Sequence, residues 1–367
     1  MTHSILFRCL LRLSVVLGSI VACSAWAGPA GKEGDHFVYI VEPNDTLLQL
    51  SEHYTHQANH WRQLQSLNQI EDVYALPIGK AVYIPWELIP VVATQAVLSH
   101  TKGQVWVNDQ LATTGQSIQS GDTLRTGTNS FATIQLEDQS SISLNPDSRL
   151  VVKQLNAFER ARLSDVILEL QHGDLEGDIA PENQGVGRFE IQTPMNITGV
   201  RGTQLRVRTQ HATDYTELLS GQAHLDQQTT NYIPLQAQQG AIIDSTGTPT
   251  ITALLAAPIL GPATQGPKGW QTTLEPIAQA QHYLIQIATD PAGSQVVQRY
   301  TVDAQTLDIP LRAAGPGDHY ASVRAIDTHG LMGLAAQLRF SGQAVLTSSD
   351  GSVINSGSGQ AIFLTHY

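Results

Sequence analysis

An apolar run over residues 37–41, rich in aromatic and β-branched side chains, predicts a strand. Asn44, Asp45 and Thr46 then supply a turn and a helix cap, and Leu47, Leu48 and Leu50 lie on the helix that follows. A second helical pattern starts near Asn59 and carries Trp61, Leu64, Leu67 and Asn68. A turn through Leu76, Pro77, Ile78 and Gly79 leads into a strand over residues 81–85, ended by Pro85. The order is strand, helix, helix, strand within residues 36–87.

From residue 96 to 245 the period changes to two. Ile134 and Leu136, Ile142 and Leu144, Leu150 and Val152, Phe189 and Ile191, and Leu205 and Val207 alternate with polar residues between turn signals rich in Asn, Asp and Gly. That pattern predicts an all-β unit, a sandwich or a solenoid. One exception is expected at residues 157–165, which read as a short helix. Residues 246–267, rich in Ala, Pro and Gly, read as a linker. Residues 268–343 return to alternation, with Trp270 early, Tyr283, Ile285 and Ile287 next, and a late strand through Tyr320, Val323, Ala325 and Asp327. The 344–367 tail is Ser/Gly-rich and ends in an apolar stretch, 361–364, that could add one strand.

His53, His56 and His60 would align along one uninterrupted helix, as a metal site requires. The pattern breaks that helix: His53 closes the first, His56 sits in the connection and His60 lies just inside the second. No metal site is therefore expected, and no cofactor. Elsewhere the chain has no G-x-S-x-G, Walker or H-E-x-x-H sequence, so no enzyme activity is expected. Glu176 and Asp178 read as solvated carboxylates of an acidic protein. Arg201, Arg206 and Arg208 could form a basic strip, although strand alternation makes two of them one exposed face.

The first 27 residues change the setting. Arg8 and Arg12 flank an apolar run, and Ala25-Trp26-Ala27 provides a small-residue cleavage site, the pattern of a secretory signal peptide. A second reading makes residues 20–23 a lipobox, with Cys23 lipidated. Either way the expected location is the periplasm or cell envelope. Both cysteines, Cys9 and Cys23, fall in this segment, which leaves the exported part without a thiol. Removing two arginines and no acid takes the net charge from −12 to −14. Nucleic acid and anionic lipid would repel such a chain.

Three resemblances follow from these residues. Tyr39-x-Val41 with Asn44-Asp45-Thr46-Leu47, Trp61-x-x-Leu64-x-x-Leu67-Asn68, and Pro77-x-Gly79-x-x-Val82-x-Ile84-Pro85 together resemble a LysM domain, with Asn44 where glycine is usual. The resemblance implies a shallow groove for N-acetylglucosamine-containing glycan, peptidoglycan or chitin. Asn44, Asp45, Thr46 and Leu47 would lie on one side of it and Ile70, Leu76, Pro77 and Ile78 on the other. Gly121-Asp122-x-Leu124-Arg125-Thr126-Gly127, Phe189-x-Ile191-x-Thr193-Pro194 and Gly199-Val200-Arg201-Gly202-Thr203 resemble the FecR domain, with Asp138-Gln139 in place of the usual Asp-Gly. The C-terminal alternation resembles a fibronectin type III or Ig-like sandwich. The sequence thus leads to a multidomain, mainly β protein: a βααβ module, a FecR-like domain and a sandwich. Its expected role is a non-catalytic peptidoglycan anchor with an envelope protein partner. The alternative is a signalling or scaffold protein acting by protein contact through the FecR-like domain, with a degenerate LysM.

Overall fold

The computed structural model describes residues 29–33, 36–161, 163–180, 186–226, 232–266, 269–312, 315–342, 346, 354–357 and 362. The expected leader, with Cys23, lies outside the described residues, as do Ala361, Phe363 and Leu364 of the expected extra strand and the side chain of Arg201.

At the N-terminal end, β1 (Pro29–Glu33), β2 (His36–Ile40) and β3 (Ala81–Pro85) form a three-stranded antiparallel sheet. Helices α1 (Leu47–Thr55) and α2 (Trp61–Asn68) lie between β2 and β3 in the chain. The start of the second helical segment is a single 3-10 turn, Ala58–His60, because α1 stops at His56 in a left-handed conformation. Asn68 ties α2 to the sheet: its amide nitrogen donates to Leu64 O and Tyr83 O, and its oxygen accepts from Tyr83 N at 2.6 Å. Phe37, Leu47, Leu50, Leu64, Val82 and Ile84 fill the core beneath.

The central unit is one hydrogen-bonded network of sixteen strands among the described residues. Its first half contains β4 (Val91–Ala93), β5 (Ala96–Lys102), β6 (Val105–Val107), β7 (Gln110–Leu111), β8 (Ser117–Ile118), β9 (Thr123–Thr126), β10 (Phe131–Gln135) and β11 (Ser141–Leu144). The second half contains β12 (Arg149–Phe158), β13 (Leu163–Asp178), β14 (Val186–Gln192), β15 (Ile197–Gln210), β16 (Thr213–Asp226), β17 (Tyr232–Leu235), β18 (Gln239–Ile243) and β19 (Thr250–Ala253). The alternating Ile134, Ile142, Leu144, Leu150, Val152, Phe189, Ile191, Leu205 and Val207 are all buried in its core. At the Asp138-Gln139 departure the hairpin survives: Gln139 takes φ 70° and its N–H donates to Leu136 O.

Two expectations are corrected here. The described residues of 157–165, all but Arg162, are not helical; they belong to the tip of the β12–β13 hairpin, where Phe158 pairs with Leu163. Cross-strand pairing and burial win there over local helix propensity. Within the expected linker, Thr250–Ala253 is a strand, because it extends the sheet at the edge of β18.

That hairpin tip has a function in packing. Phe158, Ala161 and Leu163 belong to the same buried cluster as the core of the N-terminal module, and Trp86 stacks on Phe158 with ring centroids 4.1 Å apart. Arg160 donates to His53 O at 3.2 Å beside it. The two units thus share one apolar core.

The C-terminal unit has two antiparallel sheets. The first joins β20 (Thr264–Gly266), β21 (Gly269–Thr273) and β24 (Asp308–Leu311). The second joins β22 (Ala280–Ala288), β23 (Val296–Asp303), β25 (Gly317–Asp327) and β26 (Met332–Gly342) in the order β23-β22-β25-β26. Tyr283, Ile285, Ile287, Ile309, Leu311, Val323 and Phe340 form the core between them, with Trp270 packed alongside.

Candidate functional site

The loops expected to form a glycan groove do meet, with Leu47 N–H donating to Val73 O at 3.4 Å. The side chains divide. Leu47, Ile70 and Leu76 are buried core residues and have only backbone atoms to offer a ligand. Asn44, with φ 74°, Pro77 and Ile78 are exposed, as is the neighbouring Tyr74. Asp45 anchors the turn: its carboxylate accepts from Tyr39 Oη at 2.8 Å and Glu42 N at 2.7 Å. Burial and that carboxylate push the Tyr39 phenol well above its usual range. Thr46 accepts from Gln49 N, and the Gln49 side chain accepts from Thr46 N, a reciprocal capping box. Thr46→Ala therefore lowers the stability of this module by about 1 kcal/mol, read from its thermal unfolding. His53, His56 and His60 do not converge, and among the described residues no group of His, Cys, Asp and Glu is arranged to hold a metal.

A second constellation lies on the central sheet. Glu176 of β13 pairs in register with Arg206 of β15, and Arg206 with Glu217 of β16. Thr133 and Ser143 continue this row on one side and Gly240 on the other. One step along, Asp174 pairs with Arg208, and Arg208 with Tyr215. Paired residues across strands point to the same face, so a stripe of alternating charge crosses the sheet.

The C-terminal sandwich covers this stripe. Arg324 reaches Glu176 at 2.7 Å and Gln286 at 2.8 Å, and Arg299 reaches Asp174 at 2.6 Å. Arg206 is 3.1 Å from Glu217 and donates to Gly333 O at 2.8 Å. Glu217 accepts from Met332 N–H at 2.6 Å, while Arg208 donates to Gly330 O and lies over the Tyr215 ring. Thr133 donates to Ser294 O, and His100 contacts Val296 O. Gly240 lets the β25–β26 connection approach: a Cβ there would lie 2.9 Å from Leu331 Cδ2.

Glu176 is thus an ion-paired group rather than a solvated one, and Arg206 is 1% exposed rather than part of an open face. Strand alternation places both away from the central core, but a second domain closes over them. Asp178, at the end of β13, is exposed as expected. Asp174, Glu217, Arg299 and Arg324 were not singled out by the sequence. The available signal was charge at matching positions of successive apolar strands.

The electrostatics follow from burial. It would raise the Glu176 pKa, but Arg324 and Arg206 outweigh it and hold the carboxyl at about 2. Burial lowers Arg206 to about 10 and raises Glu217, against the opposing pull of Arg206 and Arg208 on the latter. A carboxyl whose folded pKa is depressed stabilises the fold above its ordinary range and loses that contribution on acidification. Glu176→Gln is therefore expected to cost up to about 3 kcal/mol at neutral pH. The gap from the parent should close between pH 4.5 and about 2, as urea titrations at several pH values would show. Glu217 has the opposite sign, and its contribution cancels in this comparison.

No curated protein matches the chain. Two crystal structures of a candidate anti-sigma factor from Parabacteroides distasonis ATCC 8503 are similar to it at 11% and 12% identity, each with a TM-score of 0.30. The match covers 36% of this chain and 59% of each of those chains. Among the described residues no helix is long and apolar enough to cross a membrane. Residues 122–224 match the family model described as FecR protein, so the centre of this mainly β chain is a FecR domain.

Proposed function

We propose that this is an exported, non-catalytic envelope protein that acts by protein–protein contact through its FecR domain. The observation that carries this reading is the use of the central sheet's surface. Its charged face is consumed by the C-terminal sandwich, while apolar side chains stay exposed elsewhere on the unit: Val91, Val92, Val97 and Leu111. The carboxylates of this face, Asp174, Glu176 and Glu217, are each held by an arginine, which supports a structural use. The sandwich, with sheets of three and four strands, reads as fibronectin type III-like and serves to brace the FecR domain.

Photo-crosslinking residues placed at Val92 or Leu111 in the producing cells test this. The reading expects a discrete protein adduct from at least one of them; no protein adduct from either would refute it.

A second reading keeps glycan contact at the N-terminal module, which resembles LysM in its strand–helix–helix–strand order. The exposed Asn44, Pro77 and Ile78 beside the joined loops favour it. Sedimentation with insoluble peptidoglycan, comparing the chain with its Ile78→Asp variant, which leaves the shared core in place, separates the readings. Pelleting of the parent alone would support glycan contact.

A further inference from the structure

We propose that a cleft beside β4 receives a lysine or arginine side chain presented by an extended segment of the partner protein. The inference rests on the protein-contact reading above and names where that contact falls. The cleft encloses about 260 Å³. Leu136, Leu155 and Val166 give it apolar lining, Ser164 lines it as well, and Glu137 and Asp138 of the β10–β11 turn bring two carboxylates. Among the described residues that line it there is no cation.

Asp138 has already spent one oxygen: Oδ1 accepts from Ser140 N–H at 2.8 Å and holds the turn. Its Oδ2 is shielded from solvent and makes no hydrogen bond among the described residues, and the same is true of Ser164 Oγ. A shielded carboxylate oxygen without a donor is costly, and a cation seated in the cleft beside the exposed Glu137 offsets that cost through its charge. The apolar walls specify what carries the cation. A lysine or arginine lays an aliphatic stem along leucine and valine and delivers its charge at the end. A compact inorganic cation would leave those walls uncovered. The chain's net charge of −12 favours the same kind of partner.

The neighbouring strand shows how the side chain is presented. Among the described residues β4 pairs only with β12, so its other edge is open. Glu159 N–H donates to Pro90 O and Thr94 N–H to Leu155 O. By the two-residue alternation of an antiparallel ladder, the polar groups of Val92 face β12 and those of Val91 and Ala93 face outward. Val92 sits opposite Ala157, and Thr94, on the same side of the strand, lines the cleft. A segment added at this edge sends every second side chain toward the cleft, and the exposed Val91 and Val92 give it apolar contact.

The test uses the full chain with 13C-labelled Leu and Val methyl groups. Two pentapeptides are titrated into it, acetyl-Thr-Val-Lys-Val-Thr-amide and the same peptide with norleucine for lysine. The lysine peptide should shift the methyl signals of Leu136, Leu155 and Val166 and bind about 10-fold more tightly than the norleucine peptide, as opposite charges close together in a partly shielded cleft require. Asp138→Asn keeps the oxygen that holds Ser140 N–H and should reduce the lysine peptide to the norleucine level. Equal binding of the two peptides, binding indifferent to Asp138→Asn, or no shift in these methyls with either peptide would each overturn the proposal. A protein adduct at Leu111 alongside any of those results would leave the protein-contact reading standing without this cleft.

Discussion

Arg206→Ala should lower the stability of the FecR domain and its bound sandwich by about 3–5 kcal/mol, the expected cost of leaving a buried carboxylate without its partner. Glu217 is 1% exposed, and its carboxylate is stabilised by Arg206 and by the Met332 N–H. Removing the guanidinium also breaks the bond to Gly333 O that holds the start of β26. The informative comparison is Arg206→Met with Glu217→Gln. Methionine fills much of the arginine stem's volume, and glutamine still accepts from Met332 N–H, so no buried charge is left alone. This double variant should recover most of the loss and lie within about 1–2 kcal/mol of the parent. Urea unfolding of the parent, the single variant and the double variant measures it. A double variant as unstable as Arg206→Ala would mean that the ion pair is not the main source of the effect.

Trp86→Ala carries the next largest effect, about 3–5 kcal/mol for a large aromatic lost from a core. Trp86 lies between Phe37 of the N-terminal module, 5.8 Å away, and Phe158 of the β12–β13 hairpin, 4.1 Å away. Its loss therefore opens the joint between two units as well as a cavity within one. Limited proteolysis followed by mass spectrometry should detect this directly: the variant is cut between residues 86 and 95 under conditions that leave the parent intact. The FecR core should unfold at a nearly unchanged temperature. Identical proteolysis of parent and variant would contradict the shared core.

Apart from the β12–β13 tip and the strand Thr250–Ala253, the elements described above were largely legible in the sequence, and the contacts between units were not. Phe37, Leu64, Ile142, Leu150 and Val207 alternate or repeat with the period of their element, and burial follows that period. Residues 157–165 misled because their local preference is helical, while the decisive partners, Trp86 and the N-terminal core, are distant in sequence. Glu176 and Arg206 misled for the same reason. Alternation shows which side of a strand faces away from its own core, but a second domain can cover that side. The partners that the sandwich supplies, Arg324 to Glu176 and the Gly333 carbonyl to Arg206, are 148 and 127 residues away, and nothing local marks them. Asp45 and Thr46 were read as groove residues from a resemblance. Their geometry gives both a local structural task, anchoring a turn and capping α1. Changing either disturbs the fold as well as any ligand contact, and Asn44 holds the turn's left-handed backbone, so the exposed Ile78 is the cleaner probe of glycan binding.

The account depends most on the closure of the FecR domain's charged face by the sandwich, because that closure decides which surface is left for a partner. The Met332 amide reports it directly, since its hydrogen bond runs to Glu217 across the seam. Hydrogen exchange of the intact chain at this amide should be as slow as in the buried middle of β15 and should quicken in Arg206→Ala. Exchange at the rate of an exposed turn in the parent would mean that the face is open and would contradict the account.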